Sequence, residues 1–240
     1  MLYMRFKSLF TFVTLVIFLL FVSCATQLNG TVQSSGRASV SFDSELLPRT
    51  ITLINSVRSF SGGNSGEHIL DGNTIRGSIA FTPGVEEIRL VNRNTSTLEG
   101  DLIISNIGDF LAVGEEDSRF VSYTPRGTGG SISINLNMSN APLVISMLSP
   151  EIEEYLMALM APVVVRETYT RDEYLSLLAM VYGQALANEI AAARINAVLI
   201  MPSNVLSVRG GDFSGNQVSF SIPLVDIMVL ENPLYYEVHW

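Results

Sequence analysis

Side chains able to do covalent or acid–base chemistry are few in this 240-residue chain, and they are far apart. One cysteine, Cys24, closes the apolar run "FLLFVSCATQ"; two histidines stand at positions 68 and 239; the one lysine, Lys7, precedes that run. Once residues 1–23 are removed no lysine remains, which excludes a phosphate-loop lysine, a Schiff base and a Ser/Lys dyad. A single cysteine forms no intrachain disulfide and no cysteine zinc site, and two histidines cannot build a three-histidine metal centre. Any Ser/His/Asp arrangement must run through His68 or His239. His68 lies in "GEHILDG" between Glu67 and Asp71, a set that could be drawn as a base with helpers. It has no nucleophile elbow beside it and reads as an exposed loop histidine. His239, beside Trp240, reads as a strand residue. No catalytic residue, metal ligand or cofactor is assigned, and the expectation is a protein that is not an enzyme. The acidic run Glu115–Asp117 lacks the alternating acids and glycine of a calcium loop and reads as a solvated connection.

The setting of Cys24 is more informative than its thiol. Arg5 and Lys7 are followed by 14 apolar-rich residues, Leu9 to Val22, and then by Ser23. That is the layout of a secretory signal, too short for the roughly 20 residues of a membrane span. Cleavage before Cys24 resembles the lipobox of bacterial lipoproteins, of a spirochaete-like type because Phe21 stands where leucine is commonest. The resemblance implies that Cys24 is diacylated on sulfur, palmitate being one such chain, and often N-acylated after cleavage. The alternative is a plain signal peptide with an incidental cysteine. Each buried acyl methylene contributes about 0.8 kcal/mol, so two or three chains hold a domain stably where one does not. The expected organisation is a signal over residues 1–23, a lipidated tether over 24–36 and one domain over 37–240. It places the protein in the cell envelope, on the periplasmic face of the outer membrane or at the cell surface.

Beyond Cys24 the chain carries 12 arginines against 23 acids, a balance of −11. Such a surface repels phosphate backbones, so nucleic acid is excluded as a partner, and so is polybasic adhesion to lipid headgroups.

The elements that must position any site follow from periodicity. "RASVSFD" alternates as a half-buried strand, and "LLPRTITLINSV" has helical spacing with Pro48 in its first turn. A second helix is expected around Thr74–Phe81. Four alternating runs, around Ile88, Leu102, Phe120 and Ile134, suggest an antiparallel meander with one wet face. "SPEIEEYLMALMAP" reads as a capped helix. "TRDE", Thr170–Glu173, is a capping box opening a long helix through about Arg194. The strand period then returns to the end. The fold class is α+β: an antiparallel sheet of roughly eight strands with helices packed on one face.

Met147, Met157, Met160 and Met180 fall in the helical layer with Tyr155 and Tyr182. Methionine is flexible and polarizable, so this set could line a pocket for an acyl chain; ordinary core packing accounts for it equally. Residues 197–223 supply one further resemblance. Met201 with Pro202, Val208 before Gly210 and Gly211, then Gly215, Asn216 and Val218 resemble the strand and glycine-turn pattern of the LppM-type lipoprotein domain, with Phe220 where that pattern has tryptophan. The resemblance implies lipid binding. The expectation is therefore a membrane-anchored, non-enzymatic envelope lipoprotein that binds an amphiphile or docks an envelope protein. The alternative is a structural or assembly lipoprotein with no small-molecule ligand.

Overall fold

Period-two alternation sets most of the architecture. A computed structural model of the chain describes residues 25–60, 68–111, 120–145 and 150–240. Within them, β2 (Ala38–Glu45) buries Ala38, Phe42 and Ser44 and leaves Ser39, Ser41 and Asp43 in water. It joins β1 (Ala25–Val32), β3 (Val85–Asn92), β4 (Thr97–Ile104), β7 (Arg194–Ile200), β9 (Gly211–Ser214) and β10 (Gln217–Pro223) in a seven-stranded sheet. The order is β3-β4-β2-β1-β7-β10-β9. All its pairs are antiparallel except β1 with β7. A second sheet has the order β5-β6-β11-β8, formed by β5 (Val121–Arg126), β6 (Gly129–Leu136), β8 (Ser207–Arg209) and β11 (Leu234–His239).

The α+β class is as the pattern predicts, with the strands divided between two sheets. The expected meander is split because α3 (Ile107–Leu111) intervenes after β4, and the β5–β6 hairpin pairs with β11 instead.

The expected tether is corrected over most of its length. Residues 25–32 form β1, the middle strand of the larger sheet, pairing with β2 from Ala25↔Glu45 to Val32↔Ala38 and with β7 from Ala25↔Arg194 to Thr31↔Ile200. Gln27, Asn29 and Thr31 make the run look polar, but they alternate with Leu28, Gly30 and Val32, which face the core. Thr26 is fully buried, its hydroxyl 3.0 Å from that of Ser44 on β2, so the one inward polar group has a partner.

Helices cover the inner face. These are α1 (Pro48–Phe60), α2 (Gly72–Ile79), α4 (Ala141–Ile145), α5 (Pro150–Ala158), α6 (Pro162–Val165), α7 (Arg171–Tyr182), α8 (Gln184–Ala192) and α9 (Leu224–Val229). One core joins Phe42, Leu102, Ile195 and Val218 of the sheet to Leu156, Tyr174, Ile190 and Val225 of the helices. The long helix expected over 170–194 is two helices. Gly183 takes φ 89° and ψ 156° between them, ending α7 and starting α8, and Arg194 already belongs to β7.

The capping box is present as read. The Thr170 hydroxyl accepts from the Glu173 amide at 3.3 Å, and the Glu173 carboxylate accepts from the Thr170 amide at 2.8 Å. Donation to that carboxylate from the Thr170 amide and, at 2.9 Å, from the Thr170 hydroxyl holds the Glu173 carboxyl below the usual glutamate range. Thr170→Ala removes the cap, and the expected loss is about 1 kcal/mol. In a domain of this size that lowers the melting midpoint by about 2–4 °C; coincident melting curves would refute the cap's contribution.

Candidate functional site

On its outer face the larger sheet carries short polar side chains: Gln27, Asn29 and Thr31 on β1, Ser39 and Ser41 on β2, Ser219 and Ser221 on β10. Helices cover the opposite face, so this one is open to water. Where β4, β2, β1 and β7 lie side by side it forms a groove of about 450 Å³. Asn29 and Thr31 from β1, Ser39 and Ser41 from β2, Asp101 and Ile103 from β4, and Val198 and Ile200 from β7 line it. Strand alternation explains that set, since each pair is two residues apart and shares one face. The groove thus offers hydroxyls, an amide and one carboxylate on its floor, with Ile103, Val198 and Ile200 as an apolar border. Such a lining can hydrogen-bond and cover an apolar edge. No imidazole is among its residues to activate a serine there.

The histidines lie elsewhere. Nδ1 of His68 is 3.0 Å from the Asn94 carbonyl oxygen, which can only accept, so that nitrogen carries the proton. Nε2 of His239 sits 3.2 Å from the Glu237 carboxylate on the same strand, β11. Neither contact pairs an imidazole with a hydroxyl or a thiol. Among the described residues no cluster of three or more His, Cys, Asp or Glu is placed to hold a metal ion.

The methionine and tyrosine set is divided by the fold. Tyr155 is 4 % exposed, whereas Met157 is 55 % and Met180 is 78 % exposed. Met160 is half-buried in the turn after α5, with φ 51°, and Tyr182 is half-buried at the end of α7. Met147 lies outside the described residues, as do Cys24, Glu67 and residues 115–117. The tyrosines bond to protein groups. Tyr155 donates to the Thr50 hydroxyl at 3.4 Å, Tyr174 to the Leu159 carbonyl at 3.2 Å, and Tyr182 to the Ala158 carbonyl. Burial pushes the Tyr174 and Tyr182 hydroxyls above the usual tyrosine range, so both stay protonated donors. These hydroxyls close the turn after α5 against α7, as buried polar groups in a packed layer do.

Sequence reasoning missed the groove because it spent β1 as a tether. The signal was present in the alternation of Gln27, Asn29 and Thr31 with Leu28, Gly30 and Val32. No family model matches the chain, and no curated protein does. Among solved structures the chain is similar to the NMR structure of the folded domain of the Mycobacterium tuberculosis LppM protein. The two share 9 % identity over 90 % of this chain and 87 % of that one, with a TM-score of 0.38. A likeness at that TM-score fixes neither the fold nor the function of this chain.

Proposed function

We propose that the chain is an envelope lipoprotein, held to its membrane by acyl chains on Cys24, whose domain is non-enzymatic and acts by docking an envelope partner. The observation that carries the anchor is the layout of residues 5–24: a basic start, 14 apolar-rich residues, a small residue, then the only cysteine. Two further features support it. The first strand begins at Ala25, directly behind the cysteine, so cleavage before Cys24 leaves every described element intact. Among the described residues no helix is long and apolar enough to cross a membrane, so acyl chains supply an attachment that those helices do not.

Docking is favoured over an acyl-chain pocket in the helical layer by the tyrosine bonds there and by the exposure of Met157 and Met180. The contact surface in this reading is the outer face of the larger sheet, with the groove at its centre.

Cys24→Ala tests the anchor. The variant is expected in the soluble envelope fraction or the medium, while the unmodified protein stays with the membranes until detergent is added. A variant that still sediments with membranes and partitions into detergent would overturn the reading.

A further inference from the structure

One peptide bond separates Cys24 from Ala25, and Ala25 is already paired on both sides, with Glu45 and with Arg194. Resting on the anchor reading above, we infer that the domain is seated directly on the bilayer with a fixed orientation. The end of the larger sheet that carries Ala25, Glu45, Thr97 and Arg194 faces the headgroups.

The argument begins with reach. A flexible linker of a dozen residues would let a domain wander by roughly 20 Å. Here the acylated residue adjoins the central strand of seven, which leaves about one residue, or roughly 3.5 Å, of free chain. The connections at this end must therefore lie against the membrane surface. They are the β2–α1 joint at Pro48 and Arg49, the β3–β4 turn over residues 93–96, the α8–β7 joint at Ala192 and the β10–α9 joint at Pro223. Pro48, Arg49, Arg93, Asn94, Thr95 and Ala192 are all exposed in them.

Charge permits this seating. Arg49, Arg58, Arg93 and Arg194 gather at or beside this end, with Asp43, Glu45, Asp71, Glu99 and Glu189. Among those carboxylates, Glu189 sits on the first amides of α1, Asp71 on those of α2, and Glu99 on Arg93. Four cations stand against five anions, so this end carries only −1 in a chain whose balance beyond Cys24 is −11. An anionic headgroup layer repels the rest of the surface more than it repels this end.

The seating has a consequence for the groove. Residues 29–31 of β1 lie four to six residues beyond Ala25, or roughly 13–20 Å along the strand. The groove is thus presented to the aqueous space, where a protein partner can reach it.

Two cysteine variants, Thr95→Cys in the β3–β4 turn and Ser34→Cys in the β1–β2 turn at the opposite end, test the orientation. Each is carried in the acylated full-length protein, labelled with a fluorophore, and reconstituted into phosphatidylethanolamine/phosphatidylglycerol vesicles containing a headgroup spin label. Flotation is measured first, then quenching. The expected result is that both proteins float, that the label at 95 loses most of its fluorescence, and that the label at 34 keeps most of it. A Gly/Ser spacer of about ten residues between Cys24 and Ala25, with a coil reach of roughly 17 Å, should bring the two labels to similar quenching. Equal quenching without the spacer, in protein that floats, would overturn the seating and leave the anchor standing. Failure to float would overturn the anchor, and the seating with it.

Discussion

Trp240→Ala is expected to cost about 3–5 kcal/mol, the range for deleting a large buried aromatic side chain. Trp240 is 5 % exposed and stacks on Tyr123 of β5, with ring centroids 6.3 Å apart and planes 18° from parallel. Its backbone amide donates to the Gly130 carbonyl at 3.1 Å, and its carbonyl accepts from the Gly130 amide at 3.0 Å. The Gly129–Gly130 pair makes room for this. A Cβ on Gly129 would come within 2.4 Å of the Trp240 carbonyl oxygen, and one on Gly130 within 2.9 Å of the indole. The indole therefore fills the space against Tyr123 of β5 and Gly130 of β6 at the end of β11, and alanine would leave a void that the paired backbone cannot close. In a domain of this size, the expected fall in the melting midpoint is about 6–20 °C, followed by circular dichroism because the variant lacks the chain's one tryptophan. A midpoint within about 2 °C of the unmodified protein would refute the packing role.

Glu189→Ala comes second, at about 2–3 kcal/mol. The Glu189 carboxylate, on α8, accepts from the Thr50 amide at 2.9 Å, the Thr50 hydroxyl at 3.0 Å and the Arg49 amide at 3.1 Å. It caps α1 from another helix and places a negative charge at that helix's positive end. Thr50 is fully buried, so its amide cannot turn to water when the carboxylate is removed. Glu189→Gln keeps an acceptor and loses the charge, and it is expected to lose about half as much. Chemical denaturation of the three proteins checks the series, and alanine and glutamine variants of equal stability would remove the charge from the explanation.

These two residues show how much of the fold a sequence discloses. The Thr170–Glu173 box was legible because its partners lie three residues apart and its chemistry is local. Glu189 caps an amide 139 residues away, and nothing in its own neighbourhood points to Thr50. Alternation marked β2, β3, β4, β5 and β6 as strands, yet it could not say that β5 and β6 leave the larger sheet, because that depends on pairing with β11. Gly183 permits a break between α7 and α8 without requiring one; the close return of α8 over α7 settles it. Of the groove, Ser39 and Ser41 were readable as an outer face. Asn29 and Thr31 were not, since a polar run behind a lipobox looks like a linker until both of its neighbours are known. The methionine set suffered the reverse error: helical spacing brought Met157 and Met180 into one expected layer, while the fold turns both toward water.

The anchor and the seating both depend on what is attached to Cys24, and that can be read from one peptide. Arg37 is the first tryptic site after Cys24, so trypsin should release residues 24–37, 14 residues with a single cysteine at the front. In protein extracted from membranes with detergent, mass spectrometry should find this peptide beginning at Cys24 and carrying a thioether-linked diacylglyceryl group, with or without an acyl chain on its amine. Finding Cys24 unmodified in membrane-extracted protein, or a mature chain that starts at another residue, would contradict the account.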